Sequence, residues 1–295
     1  MIIVTISGGL GNQMFQYAFG RKISVYNDKA LNLLIIGEAG ETKTSRRYQL
    51  DSFAISGNIL RGTQKKAIEL LLSCGGRKAT NVLNNYYNYV NLPIVKHPTD
   101  NYNQKYDGKL IKEYGFAIFD GYWQNEKYFL DIEDTIRKDF EHIDSMSSRD
   151  KEIKNKIYKR NSVAVHFRRL HDDENQLYGK LPKSYYEQSL HMMKERVDDI
   201  TFFVFGDDIE WAKQNFFHDE SVVYIDHNNY ANAHRDMLLM SYCDHQVISN
   251  STFSWWGAWL NDNNEKTVIS PKWWFKDDER NCHQDIIPSR WIKNG

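Results

Sequence analysis

The sequence predicts an α/β protein built as two Rossmann-like domains with a cleft between them. Two patterns carry that expectation. The chain opens with the apolar run Ile2–Ile6, then Gly8, Gly9 and Gly11, then a helical repeat. From Ser162 to Ile269, five apolar runs alternate with amphipathic stretches. Strand and helix in steady alternation build a parallel sheet covered on both faces.

The elements follow in order. In the opening helix Phe15, Phe19, Ile23 and Tyr26 share one face. Ala30–Ile36 suits the next parallel strand, and residues 61–74 read as a helix. The Asn- and Tyr-rich stretch 81–107 shows no clear period. Leu110–Phe119 reads as a strand running into a turn at Asp120-Gly121, and helical patterns continue to about Tyr158. The polar stretch Asp144–Lys156 marks the boundary, so the domains are expected at 1–155 and 156–275, with a tail at 276–295.

Beyond the boundary Ser162–Phe167 reads as a strand. Pro182 stands at the first turn of a helix, where its missing N–H costs nothing. Strands at Thr201–Phe205, Val222–Ile225, His245–Ile248 and Thr267–Ile269 alternate with helices at Ile209–Phe217, Ala233–Tyr242 and Phe253–Leu260.

Bulk properties bound the function. With a formal net charge of −1 there is no global field for nucleic acid or an anionic membrane, so any anion needs a local cluster. Three cysteines, Cys74, Cys243 and Cys282, form no C-x-x-C pair and read as reduced thiols of a cytoplasmic protein. No apolar run is long enough to span a bilayer. A G-x-S-x-G elbow, a phosphate-binding G-x-x-x-x-G-K-[ST] loop and an H-E-x-x-H pattern are all absent from the sequence. So is Asp-x-Asp, the arrangement that holds a divalent ion on a sugar nucleotide's diphosphate. No metal ligand set is expected.

Ligands of open parallel sheets bind at the carboxyl ends of strands, and three motifs fall there. His166-Phe167-Arg168-Arg169 places two guanidiniums at a strand end, which suits a diphosphate or a salt bridge to Asp172, Asp173 or Glu174. Phe205-Gly206-Asp207-Asp208 supplies a carboxylate for a ribose diol or a guanine edge, or else a helix cap. Ser249 to Ser254 opens a helix with Ser251, Thr252 and Ser254. It offers hydroxyls and free N–H groups to phosphate, or plain capping. Trp255, Trp256 and Trp259 read as core. In the N-terminal domain Gly8-Gly9-Leu10-Gly11-Asn12-Gln13 lacks the dinucleotide spacing. Its glycines allow close backbone approach, and Asn12 and Gln13 suit sugar hydroxyls or a helix cap.

Together these residues resemble the bacterial α-1,2-fucosyltransferase family. The likeness runs through Gly8–Tyr17, Tyr48–Asp51, Gly121–Phe129, Val165–Arg169, Gly206–Trp211, Asp236–Ser241, Ser249–Trp259 and Pro271–Trp274, in the family's order. Residues 52–110 match poorly, which makes them the place for acceptor choice. The resemblance implies a GT-B-like fold, GDP-fucose as donor, and inversion without a metal or other cofactor. It implies a β-galactoside acceptor taken at its 2-hydroxyl, in O-antigen synthesis. It places the protein in the cytoplasm, with peripheral membrane association through a lipid-linked acceptor.

Carried over by residue, Arg168 grips the diphosphate with Arg169 beside it. His166 and Asp207 contact the nucleoside, and Ser251, Thr252 and Ser254 form the phosphate-side loop. Asn12 matches the amide of the N-terminal loop near the reacting sugar and is a catalytic candidate with Arg168, while Gly9 and Gly11 are taken among the donor-binding residues. The general base is open between Asp236, His171, Asp172 and Glu126, with Asp236 taken as the catalytic candidate. The family continues Arg-Arg with Gly-Asp-Tyr, where this chain has Leu170-His171-Asp172, so the donor loop is where it departs. The rival readings are another linkage or acceptor, or an inactive module that binds a nucleotide sugar or glycan.

Overall fold

The computed structural model describes residues 1–37, 47–73, 94–96, 105–169, 178–217, 221–282 and 284–295. It divides into two compact units, Met1–Ile143 and Asp144–Gly295.

The first unit holds strands β1 (Ile2–Ile6), β2 (Leu31–Ile35), β3 (Asn58–Ile59), β4 (Ile94–Lys96) and β5 (Ala117–Asp120). They form one parallel sheet in the order β3-β2-β1-β5-β4. The central strand β1 is buried along its whole length, as an unbroken apolar run predicts for a sheet covered on both faces. Helix α1 (Leu10–Tyr26) buries Phe15, Phe19 and Ile23 completely, while Tyr26 stands half exposed at its end. A Cβ at Gly20 would lie 2.8 Å from Val4 Cγ1, so glycine there lets α1 lie close on β1. Helix α2 (Gly62–Ser73) matches its prediction to within a residue at either end.

One predicted strand is shorter. Gly108–Leu110 forms a 3-10 turn capped by the Asp107 side chain, and only Ala117–Asp120 is strand. The Asn27 side chain accepts from Tyr114 N at 2.6 Å and donates to Lys112 O at 3.1 Å. Those bonds take backbone groups that a longer strand would need for its ladder.

The second unit holds β6 (Asn161–Phe167), β7 (Ile200–Gly206), β8 (Ser221–Tyr224), β9 (His245–Val247), β10 (Val268–Pro271) and β11 (Ile292–Asn294). All pair in parallel, in the order β11-β10-β9-β6-β7-β8. Alternate residues of β6 and β7 serve opposite faces. Val163, Val165, Phe167, Phe202 and Val204 pack on Tyr186, Leu190 and Met193 of one helix (Lys183–Lys194). Ala164, Phe203 and Phe205 pack on Ile153 and Ile157 of another (Ser148–Ile157) and on Leu239 and Met240.

Two boundaries move. The helix Ser148–Ile157 belongs to the second unit, so the division falls after Ile143 and not after residue 155. Its polarity is that of an amphipathic helix with a Ser147–Asp150 capping box, whose Ile153 and Ile157 are core. Nor is 276–295 a tail. Residues 292–294 are a sixth strand beside β10, Trp291 is buried, and Asn294 Nδ2 donates to Ser189 Oγ at 2.8 Å. A three-residue strand is too short to show a period. Among the described residues no helix is long and apolar enough to cross a membrane.

Candidate functional site

The carboxyl ends of β6, β7 and β9 lie on one edge of the second sheet, and the three predicted motifs follow them. His166 is the last residue of β6 on the Ala164 face. Its Nδ1 lies 2.7 Å from Ser249 Oγ, and its ring meets Phe253 at 5.6 Å. Burial, and then the charge of Arg168, push its pKa down to about 3. The imidazole is therefore neutral near pH 7 and acts as a polar contact, not as a cation.

Arg168 and Arg169 separate as the pleat of the preceding strand demands. Arg168 Nη1 donates to Asn250 O at 3.3 Å, and its guanidinium carbon lies 5.3 Å from the Tyr178 ring. Arg169 turns to the other side. Its guanidinium stacks 3.6 Å above Trp211, and Nη1 donates to Leu181 O at 3.4 Å. The structure thus places Arg168 beside the Ser249–Ser254 loop and Arg169 against the helix that begins at Ile209.

Asp207 and Asp208 divide two tasks. Asp208 caps that helix, accepting from Trp211 N at 3.0 Å. Asp207 accepts from Arg169 N at 2.6 Å, which ties the β6 and β7 ends together. Gly206 makes the approach feasible. It has φ +152°, and a Cβ there would lie 2.2 Å from Phe167 O.

In the third motif, Ser251 precedes the helix Thr252–Trp259 but makes no capping hydrogen bond. Its hydroxyl is uncommitted to the role that competes with ligand binding. Ser254 is fully buried. Its hydroxyl reaches Ser251 O at 3.2 Å and lies 3.4 Å from Ser249 Oγ, so it acts through the loop and through His166's partner. Thr252 is half-buried at the first helical position. Trp255, Trp256 and Trp259 are core, and Trp255 Nε1 donates to Ile286 O at 2.8 Å.

Asn250 and Tyr185 were not singled out by the sequence reading. Asn250 Nδ2 donates to Gly179 O at 2.9 Å and to Trp274 O at 3.2 Å, while its own carbonyl receives Arg168. It thereby fastens the Tyr178-Gly179 segment beneath Arg168. Tyr185 Oη donates to Ile248 O at 2.5 Å and braces the loop from below. A buried asparagine inside a hydroxyl-rich motif was the one available signal for Asn250.

Asp236 sits in a different network, at the start of the helix Ala233–Tyr242. Asn228 Nδ2 donates to its Oδ1 at 2.7 Å, and desolvation pushes its pKa up to about 6. Nearby, the fully buried Asp150 accepts from Ser147 and Asn228, meets His227 Nε2 at 2.9 Å, and lies 3.7 Å from Arg235. Burial alone would raise the Asp150 pKa, but these hydrogen bonds outweigh it and hold it low.

In the first unit, Gly8 takes φ +76° and Gly9 precedes α1 with φ −72°. Gly11 is buried in the first turn. Gln13 departs from the expectation that it faces sugar. It is buried, and donates to Gly8 O at 2.8 Å and Arg47 O at 2.9 Å, which anchors the loop. Asn12 is only half-buried, and its Oδ1 accepts from Gln124 Nε2 at 2.9 Å. His171, Asp172 and the Leu170-His171 departure lie outside the described residues, as does Cys74. Among the described residues no three His, Cys, Asp or Glu side chains gather as metal ligands.

Comparison with known proteins places these features in a family context. The family model described as "Glycosyl transferase family 11" matches residues 97–294. An alpha-1,2-colitosyltransferase of Escherichia coli is 32% identical, over 99% of this chain and 98% of that protein. The O-antigen biosynthesis glycosyltransferase WbnK of Escherichia coli is 28% identical, over 97% and 98%. Among solved structures, the NodZ alpha-1,6-fucosyltransferase soaked with GDP-fucose superposes with a TM-score of 0.53 at 13% identity, covering 88% of this chain and 91% of that one. That likeness bears on the fold, which is α/β and GT-B-like.

Proposed function

The chain belongs to glycosyl transferase family 11, and on that premise we propose that it moves L-fucose from GDP-fucose to the 2-hydroxyl of a β-galactoside. The acceptor oxygen bonds to the fucosyl anomeric carbon as the bond from that carbon to the diphosphate breaks. The anomeric centre inverts, GDP leaves with the bond pair, and the hydroxyl proton passes to a base. The observation that carries this reading is Arg168 fixed beside an uncapped helix start at Ser251, with a neutral His166 behind it.

The charge that grows on the leaving diphosphate meets Arg168 and the first N–H groups of the helix, with Ser251 and Thr252 at its mouth. No metal is needed for that. His166 and Asp207 flank the nucleoside. Ser254 orients His166 through Ser249, and Arg169 holds the loop through Asp207 and Trp211. Gly9, Gly11 and Asn12 serve the sugar side. Asp236, with a pKa raised to about 6, is one candidate proton acceptor beside Glu126, His171 and Asp172. The setting is O-antigen assembly in the cytoplasm, peripheral to the membrane that carries a lipid-linked acceptor, as the name of one relative suggests.

The relative described as a colitosyltransferase favours a second reading for the donor sugar. Colitose is fucose without its 3-hydroxyl. A site that hydrogen-bonds that hydroxyl rejects the deoxy sugar by about 10⁴-fold, while a site without such a partner accepts both.

The test is GDP release from GDP-fucose and GDP-colitose across a panel of β-galactosides, with and without chelator, followed by linkage analysis. The expected result is 2-linked fucose with chelator-insensitive turnover. Exclusive use of GDP-colitose replaces the donor. Release from neither sugar nucleotide overturns the reading, and loss of turnover on chelation overturns the metal-free mechanism.

A further inference from the structure

Asp120 closes β5, the strand that pairs with the central strand β1. It stands at the carboxyl edge of the first sheet, where open parallel sheets bind their ligands. The residue is half-buried. Thr5, itself 1% exposed, donates from Oγ1 to Asp120 Oδ1 at 2.9 Å. Oδ2 takes part in no hydrogen bond or ion pair among the described residues.

The two oxygens therefore have different work. A carboxylate offers about four lone-pair sites, and the Thr5 hydroxyl fills one of them. Thr5 fixes the group in place and leaves its other oxygen able to accept. A charge drawn half out of water needs further donors, which water or a ligand hydroxyl must supply.

Side chains alternate along a strand, so Asp120 shares a face with Ile118, and Thr5 with Ile3. Ile3 and Ile118 pack with Leu60 and with Ile68, Leu71 and Leu72 of α2. That helix lies within residues 52–110, the stretch expected to choose the acceptor. It begins shortly after β3, a parallel strand of the same sheet, so its first turn lies at the same edge as Asp120. Charge then selects the ligand. A carboxylate repels a diphosphate, and the arginines that suit one belong to the second unit. A neutral polyol meets no such repulsion, and its hydroxyls are the donors that Oδ2 lacks.

We propose that Asp120 contacts the acceptor sugar, with Oδ1 held by Thr5 and Oδ2 accepting a hydrogen bond from one hydroxyl of the glycoside. The proposal rests on the sugar-transferring function given above and adds to it a specificity-determining residue in the first unit.

The full chain is assayed for GDP release with the sugar nucleotide and the glycoside that the wild type uses, then with each monodeoxy analogue of that glycoside. An analogue that cannot react is measured as a competitive inhibitor. Asp120→Ala is expected to lose about ten- to hundredfold in kcat/KM for the parent glycoside, with KM for the sugar nucleotide unchanged. One analogue, the one without the contacted hydroxyl, should be handled alike by Asp120→Ala and the wild type. The others should fall as the parent does, which is the coupling that a contact produces.

An equal loss on the parent and on every analogue overturns the proposal, because a tie between strands has no preference among hydroxyls. Wild-type acceptor kinetics in Asp120→Ala overturn it as well. If Asp120→Ala does not fold, Asp120→Asn keeps an oxygen for Thr5, and the same comparison of analogues decides. A parent glycoside that is not a β-galactoside sinks the functional reading and leaves that comparison intact.

Discussion

Side chains leave a strand on alternate faces, so a pair such as Arg168–Arg169 just beyond β6 must send its guanidiniums to opposite sides. Arg168 meets Asn250 O and Tyr178, while Arg169 stacks on Trp211. Arg168→Ala is therefore expected to cost about 2.7–4 kcal/mol of barrier, about a hundred- to thousandfold in kcat. The fold should survive, and near wild-type turnover would remove Arg168 from the site. Two glycines separate structure from function. A Cβ at Gly206 meets a backbone oxygen at 2.2 Å, so Gly206→Ala should lose at least about 1–3 kcal/mol in urea unfolding. Gly9 has an ordinary φ and an open Cβ position, so Gly9→Ala should keep stability and lose acceptor turnover. His166 titrates at about 3 when folded and near 6.5 when unfolded. The unfolded chain binds the proton first, so this contribution is full above pH 6.5 and is lost as the pH falls toward 3. Asp236, raised from 3.8 to about 6, acts in the opposite sense. The quantity to measure is thus wild type minus His166→Gln in urea melts from pH 7 to pH 4. A flat difference would contradict the buried, neutral imidazole.

At the scale of elements, Asp150 joins three pieces of chain. It caps its own helix through Ser147, reaches Asn228 and His227 before the helix Ala233–Tyr242, and faces Arg235 inside it. Asp150→Ala strands these donors and should cost about 3 kcal/mol, with Asp150→Asn costing less because it can still accept. Equal losses in chemical denaturation would show that charge, not acceptance, holds the cluster. The helices were legible because their apolar faces repeat: Tyr186, Leu190 and Met193 recur at helical spacing and are all buried. The strand expected over Leu110–Phe119 is cut to its end, Ala117–Asp120, because Asn27, about 85 residues away in sequence, takes the backbone groups of Lys112 and Tyr114. Nothing local announces such a partner.

The whole molecule holds two units, each with its own parallel sheet and core. If the donor nucleotide binds the second unit through Arg168 and the Ser251 helix start, ligand stabilisation belongs to that unit. GDP at a hundred times Kd should add about 2.7 kcal/mol. Hydrogen exchange should report the protection in peptides from 144–295, and protection confined to 1–143 would move the donor site. By itself the sequence determined the alternation of strands and helices, the strand ends that carry polar motifs, and the family. Those are properties of local periodicity and of short motifs, which need no distant partner to be read. Only the tertiary structure decided the division at Ile143, the sixth strand at Ile292–Asn294 and the opposed directions of Arg168 and Arg169. It also decided that Gln13 anchors the loop to Gly8 O and Arg47 O while Asn12 accepts from Gln124. Each of these depends on which buried polar group finds its partner, and the partners lie on other elements, where burial makes leaving them unpaired too costly.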